Sequence, residues 1–159
     1  MDAATQLLAH RVVEALGRRG GTLSTCESLT GGGVGAALTA VPGASAVYRG
    51  GFITYASELK HTLAGVDADL IRHQGVVNEY VAIQMAEGAR SRCGSDWAVS
   101  TTGVAGPGAI DGQPVGTVWF AIVGGKAGTV AELMRFDGDR DAIRNAAVRH
   151  ALAMLLKVS

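Results

Sequence analysis

A serine directly after a glutamate and just ahead of a threonine and three glycines raises the first chemical possibility in this chain. In Thr25-Cys26-Glu27-Ser28-Leu29-Thr30-Gly31-Gly32, small polar groups stand at the end of a β-forming run and the start of an apolar helical pattern. Such a turn exposes backbone N–H groups, which favour an anion or a developing oxyanion. Taken alone, the stretch reads first as a capped helix start, in which Ser28 or Thr30 caps the helix and the glycines permit close packing. The stretch is neither G-x-S-x-G nor GxxxxGK[ST], so the hydrolase-elbow and P-loop signatures do not apply.

A second stretch, Gly51-Phe52-Ile53-Thr54-Tyr55-Ala56-Ser57-Glu58-Leu59-Lys60, ends a strand at Tyr55 and places Lys60 about one turn into the next helix. Serine, lysine and tyrosine together can form a nucleophile system without histidine. A lysine serves as base only when burial or positive neighbours depress its pKa, and a lone helical lysine is ordinarily solvated. Spacing alone leaves open whether Ser28 and Lys60 meet.

A third stretch, Thr101-Thr102-Gly103-Val104-Ala105-Gly106-Pro107, again runs from a strand end into a Gly/Pro loop. Its stiff backbone offers N–H donors to a carbonyl or phosphate, or it is a surface turn. Arg140 and Arg144 share one face of a helix start and suit a phosphate grip or ordinary surface charge. His10, His61, His73 and His150 are scattered, without metal-ligand spacing, and no metal site is expected. Asp137, Asp139 and Asp141 lack the remaining ligands of a calcium loop and read as helix caps.

These groups need elements to carry them. Leu7, Leu8, Val12 and Leu16 repeat at helical spacing in residues 3 to 18. A strand follows over 22–27, a helix over 30–41 entered through Thr30-Gly31-Gly32, and a strand over 46–55 whose glycine pair suggests a bulge or close backbone approach. Two short helices lie within 56–73, and a longer one spans 78–94 with Asn78 as N-cap and Gly94 as its stop. Strand 97–103, a hairpin of 117–125 with 128–136, and a helix over 138–157 with Ile143, Ala147, Ala151 and Met154 on one stripe complete the chain. Helices separate the early strands, which can therefore be parallel, and the late hairpin adds an antiparallel part. The expected fold is α/β: a single three-layer α/β/α domain over 1–159 with a mixed, mostly parallel sheet of about five strands.

Composition narrows the partners. Residue types are 48% hydrophobic and 18% charged, as in a globular chain, with 14 basic and 14 acidic residues. That balance gives no support to nucleic-acid binding or to a basic membrane-surface helix. The N-terminal stretch is amphipathic, with Asp2 early, and reads as neither signal peptide nor transmembrane span. Cys26 and Cys93 form no CxxC and are read as reduced thiols, so a soluble, cytoplasmic protein is expected.

Taken together, the motifs resemble those of the CinA C-terminal domain family, whose active members are nicotinamide mononucleotide amidases. The family's AESCTGG corresponds to Cys26 through Gly32, its GxxTYSNExK to Gly51 through Lys60, and its [TS]GIAGP to Thr102 through Pro107. PVGTVWF at 114–120 and GDRDAIR at 138–144 complete a likeness that covers nearly the whole chain. The resemblance implies Ser28 as nucleophile, Lys60 as the base that activates it and Tyr55 as an assisting residue. It implies substrate and oxyanion contacts from Glu27, Thr30, Gly31, Gly32, Thr102, Gly103 and Gly106, with Arg140 and Arg144 as candidates for a phosphate. The implied reaction converts nicotinamide mononucleotide and water to nicotinate mononucleotide and ammonia, with no metal or organic cofactor. A homo-oligomer is expected for so small an enzyme.

The chain departs from the family pattern at several positions. Cys26 replaces Ala, Leu29 replaces Cys, Ala56-Ser57 replaces Ser-Asn, and Val77-Asn78 replaces Ser-Glu. Ser28, Tyr55 and Lys60 are retained, so an amidase is the leading expectation and a catalytically silent nucleotide-binding or regulatory module its rival. The sequence does not include the nucleotide-pyrophosphatase-like module of full-length members, and that activity is not expected of it.

Overall fold

The computed structural model describes residues 1–126 and 128–158. Six helices and five strands run in the order α1 (Ala3–Gly17), β1 (Leu23–Glu27), α2 (Gly33–Thr39), β2 (Tyr48–Ile53), α3 (Ser57–Thr62), α4 (Ala68–Gln74), α5 (Glu79–Cys93), β3 (Trp97–Gly103), β4 (Thr117–Gly124), β5 (Gly128–Arg135) and α6 (Arg140–Val158). The strands form one sheet in the order β2-β1-β3-β4-β5. β1 pairs in parallel with both β2 and β3, whereas the β3–β4 and β4–β5 ladders are antiparallel. Only β4 therefore runs against the other strands, and the sheet is mixed and mostly parallel, as expected.

Alternation along the strands feeds two cores. Phe120 and Ile122 of β4 join α1, α2 and α6 residues on one face; Ala121 and Val123 face α5 on the other. The three layers follow from this division, because α1, α2 and α6 bury apolar side chains against one side of the sheet and α5 against the other. β1 and β3 are central and almost wholly buried, which explains their lack of an exposed polar face.

Local chemistry explains the element ends. Asp2 accepts a hydrogen bond from the Thr5 N–H at the start of α1, and Asn78 Oδ1 accepts from the Val81 N–H at the start of α5. Gly94 closes α5 in the left-handed region at φ 62°. The expected early entry to α2 is corrected: Gly31 and Gly32 have φ of 60° and 94°, so the helix begins at Gly33. The glycine pair of β2 does both things expected of it. Pairing skips Arg49 between Leu23↔Tyr48 and Ser24↔Gly50, a bulge, and a Cβ at Gly51 would collide with the Thr25 backbone. Ala127, inside the expected hairpin, lies outside the described residues.

Candidate active site

The strand order decides the site. β1 lies between β2 and β3 and runs parallel to both, so the carboxyl ends of all three reach one edge of the sheet. In doubly wound sheets of order 2-1-3-4-5 the ligand crevice opens where the strand order reverses, between β1 and β3. Ser28 follows β1 there, Thr54 and Tyr55 follow β2, and Thr102 and Gly103 close β3. A cleft of about 170 Å³ opens at this edge, lined by Ser28, Tyr55, Lys60, Thr102, Gly103, Gly106 and Arg140. Leu29, Ser57, Val76 and Ile110 add walls that the sequence reading did not count among the site residues.

Lys60 is the unusual member. It sits one turn into α3, with Ala56 as the helix's N-cap, and is 1% exposed. Its Nζ donates to Ser28 Oγ at 3.0 Å and to the Thr54 carbonyl oxygen at 2.7 Å. Burial pulls its pKa down to about 8, against the opposing charges of Cys26 and Glu58. Of the two readings that spacing left open, solvated surface or buried partner of Ser28, the geometry selects the second. The Thr54 carbonyl that orients Lys60 is a backbone atom, invisible to a search for functional side chains.

Thr102 is fully buried, and its hydroxyl donates to the Val76 carbonyl oxygen at 2.6 Å, tying β3 to the segment before α5. At the mouth, Arg140 donates from Nη1 to the Gly106 carbonyl oxygen at 2.6 Å and from Nη2 to Tyr55 Oη at 2.8 Å. Tyr55 is exposed, and this contact joins the end of β2 to the Gly/Pro loop through α6. Arg140 thus fronts the cleft with both a cationic face and a structural grip.

The five remaining expected site residues are not among those that line the cleft. Glu27 is 1% exposed, and its carboxylate accepts from Thr30 Oγ1 and from the N–H groups of Gly32, Val34 and Gly35. The glycine turn is therefore an anion cradle whose anion is the chain's own Glu27. Gly31 N–H donates to the Ser28 carbonyl oxygen at 3.0 Å, so the N–H groups of Gly31 and Gly32 are both occupied. Thr30 hydrogen-bonds Glu27 and Thr101 through its hydroxyl. Arg144 donates from Nε to the Leu29 carbonyl oxygen at 3.0 Å. Of the groups expected to meet substrate, the Glu27 carboxylate, the Thr30 hydroxyl and the N–H groups of Gly31 and Gly32 are thus engaged within the turn that carries Ser28, and Arg144 grips that turn at the Leu29 carbonyl. Among the described residues, the backbone N–H groups of Leu29 and Thr30 have no acceptor.

Comparison with known proteins agrees with the motifs. The model of the CinA C-terminal domain matches residues 5–159. Nicotinamide-nucleotide amidohydrolase PncC of Escherichia coli (strain K12) is 41% identical over 155 residues, covering 97% of this chain and 94% of that protein. A CinA-like protein of Parasynechococcus marenigrum is 49% identical over 152 residues, and 93% of this chain matches 36% of its length. The chain thus spans just over a third of such longer relatives, 37% and 36% in two of them. The crystal structure of competence/damage inducible protein CihA from Agrobacterium tumefaciens superposes with a TM-score of 0.94 at 38% identity, over 99% of this chain and 97% of that one. A CinA superfamily protein from Escherichia coli gives a TM-score of 0.94 at 35% identity, over 100% and 93%. With its sheet order, its strand-end motifs and the family match along residues 5–159 in agreement, the chain belongs to the CinA C-terminal domain family.

Proposed function

We propose that this protein is a serine–lysine amidase that hydrolyses the carboxamide of nicotinamide mononucleotide. The observation that carries the reading is the buried contact of Lys60 Nζ with Ser28 Oγ inside the strand-end cleft. Its support from relatives is the 41% identity to nicotinamide-nucleotide amidohydrolase PncC along nearly the full length of both chains.

The chemistry follows from the positions. Unprotonated Lys60 takes the Ser28 hydroxyl proton as Oγ attacks the carboxamide carbon, forming a tetrahedral oxyanion. The N–H groups of Leu29 and Thr30 stand next to the nucleophile and receive that charge. Collapse breaks the C–N bond, and the proton held on Lys60 passes to the nitrogen, which leaves as ammonia. Lys60 then activates water against the Ser28 ester, releasing nicotinate mononucleotide and restoring the serine. Tyr55 and Arg140 front the cleft where the nucleotide enters, and Arg140 is the phosphate-facing cation of this reading. The Thr102–Gly103 strand end and Gly106 form the opposite wall.

The same reading takes residues 1–159 as one amidase domain, working in the cytoplasm as a homo-oligomer. Support for a reducing compartment comes from Cys26 and Cys93, both free thiols. Among the described residues no helix is long and apolar enough to cross a membrane.

The test is direct. Purified protein is incubated with nicotinamide mononucleotide while ammonia and nicotinate mononucleotide are quantified. Stoichiometric release of both is expected. Folded protein that forms neither product would reject the amidase and favour a silent nucleotide-binding module.

A further inference from the structure

Arg144 stands apart from the cleft, yet it grips the turn on which the nucleophile rides. Its Nε donates to the Leu29 carbonyl oxygen at 3.0 Å, and Nη2 reaches the Thr30 carbonyl oxygen at 3.5 Å. The Leu29 carbonyl and the Thr30 N–H belong to one peptide group. A trans peptide is planar and points these two groups in opposite directions. Holding the carbonyl toward α6 therefore fixes the N–H away from Arg144.

That N–H is an oddity. Thr30 is 1% exposed, but its backbone N–H has no acceptor among the described residues. Buried N–H groups without a partner are rare and costly, and each calls for an explanation. The preceding peptide has the same arrangement. The Ser28 carbonyl is held by the Gly31 N–H at 3.0 Å, while its other end, the Leu29 N–H, is likewise unpaired. Two consecutive peptides beside a serine thus have their carbonyl ends tied down and their N–H ends unused. The neighbouring N–H groups of Gly32, Val34 and Gly35 are instead consumed by Glu27.

We infer that Arg144 is a positioning residue, which orients and polarises the Leu29–Thr30 peptide so that the Thr30 N–H is a prepared donor to the oxyanion formed on Ser28. A cationic donor on the carbonyl shifts electron density toward the oxygen and strengthens the N–H as a donor. The guanidinium also removes the freedom of that peptide to flip, and a preset donor needs no reorganisation when charge develops. This replaces the phosphate contact that the sequence suggests for Arg144. The inference rests on Ser28 being the nucleophile, as proposed above, but not on the identity of the substrate.

Two readouts separate these dependencies. The first is turnover of nicotinamide mononucleotide by wild type, Arg144→Gln and Arg144→Lys, with melting temperatures taken alongside. Loss of one prepared oxyanion donor lowers turnover by roughly a hundredfold in comparable sites. Arg144→Gln is expected to lose kcat on that scale with KM within about threefold, and Arg144→Lys to recover part of it, because a lysine carries the charge without the fork. The second readout is binding of pyridine-3-boronic acid. Its boron accepts a bond from Ser28 Oγ while the hydroxyl proton passes to Lys60, giving a tetrahedral anion without any amide chemistry. Affinity is expected to fall in Arg144→Gln by a factor matching the kcat loss.

A raised KM at unchanged kcat would overturn the inference and return Arg144 to phosphate contact. Unchanged boronate affinity in a folded variant, or no boronate adduct on wild-type Ser28, would also overturn it. If Arg144→Gln does not fold, the same criteria apply to Arg144→Lys. Wild type that forms the boronate adduct in an Arg144-dependent way, but leaves nicotinamide mononucleotide intact, would refute the proposed substrate while upholding the role of Arg144.

Discussion

Lys60 Nζ lies 3.0 Å from Ser28 Oγ, and the same nitrogen is anchored 2.7 Å from the Thr54 carbonyl oxygen. The pair is buried at the floor of the cleft, Lys60 being 1% exposed and Ser28 8%. A primary amine in this setting is easier to deprotonate than in solvent, which is what a base for a serine hydroxyl requires. The geometry and the lowered pKa have one cause, the burial of the Lys60 side chain beside Ser28 and the Thr54 carbonyl at the ends of β1 and β2.

The first prediction concerns pH. Burial brings the Lys60 pKa to about 8, and the proposed mechanism uses the unprotonated amine. kcat/KM should therefore fall about tenfold per pH unit below that value and level off above it. A profile from pH 6 to 9.5 measures this, and a flat profile across pH 7 to 8 would remove Lys60 as the base. Ser28→Ala and Lys60→Ala should each lower kcat by about a thousandfold or more with the fold retained.

Stability should show the converse of that pKa. Lys60 titrates near 8 in the folded chain against an ordinary 10.5, so the unfolded chain binds more protons between these values. Stability then rises with pH from about 8 to 10.5, and the cost of burying the ammonium is fully present below 8. Lys60→Met should raise stability at pH 7 by up to about 3 kcal/mol, with the advantage shrinking toward pH 10.5. Melting temperatures of both proteins across pH 7 to 10.5 give the comparison.

Glu27 offers a test of the turn. Its carboxylate accepts one hydroxyl and three backbone donors. Glu27→Gln replaces an acceptor oxygen with an NH₂ that meets donors, and should cost about 2–4 kcal/mol. Faster amide exchange at Gly32, Val34 and Gly35 is the local signature to measure.

Packing behind Lys60 offers another. A Cβ at Gly88 of α5 would collide with the Ala64 carbonyl just past α3. Gly88→Ala should destabilise the protein by about 1–3 kcal/mol. It should also lower kcat, because relief of the clash displaces the segment that carries Lys60. Denaturant unfolding and steady-state kinetics on one preparation report both effects.

Thr117 supplies a control far from this logic. Its hydroxyl is buried and has no hydrogen-bond partner among the described residues. Thr117→Val keeps the shape and removes an unpaired polar group, so stability should hold or rise by about 1 kcal/mol. A loss above 1 kcal/mol would show that the hydroxyl is satisfied in solution.

Much of this architecture is legible residue by residue. Asn78 and Gly94 mark the ends of α5, Trp97–Gly103 reads as a buried strand, and the stripe of Ile143, Ala147, Ala151 and Met154 turns its side of α6 to the core. These are local signals, written in side-chain periodicity and cap chemistry. The roles of Glu27 and Arg144 were not legible, because a carboxylate or guanidinium that serves the backbone looks like one that serves a ligand. Lys60 in a short helix carries no mark of its burial either, as that depends on what packs over it.

By itself, the sequence determines the order of helices and strands, the glycine turns between them and the chemical groups at three strand ends. Those features depend on neighbours a few residues away. Only the tertiary structure decides that β1 lies between β2 and β3, that Lys60 is turned inward against Ser28, and that Glu27 rather than a substrate fills the glycine cradle. Strand order and burial are settled by which faces exclude water together across the whole chain, and no short stretch contains that information.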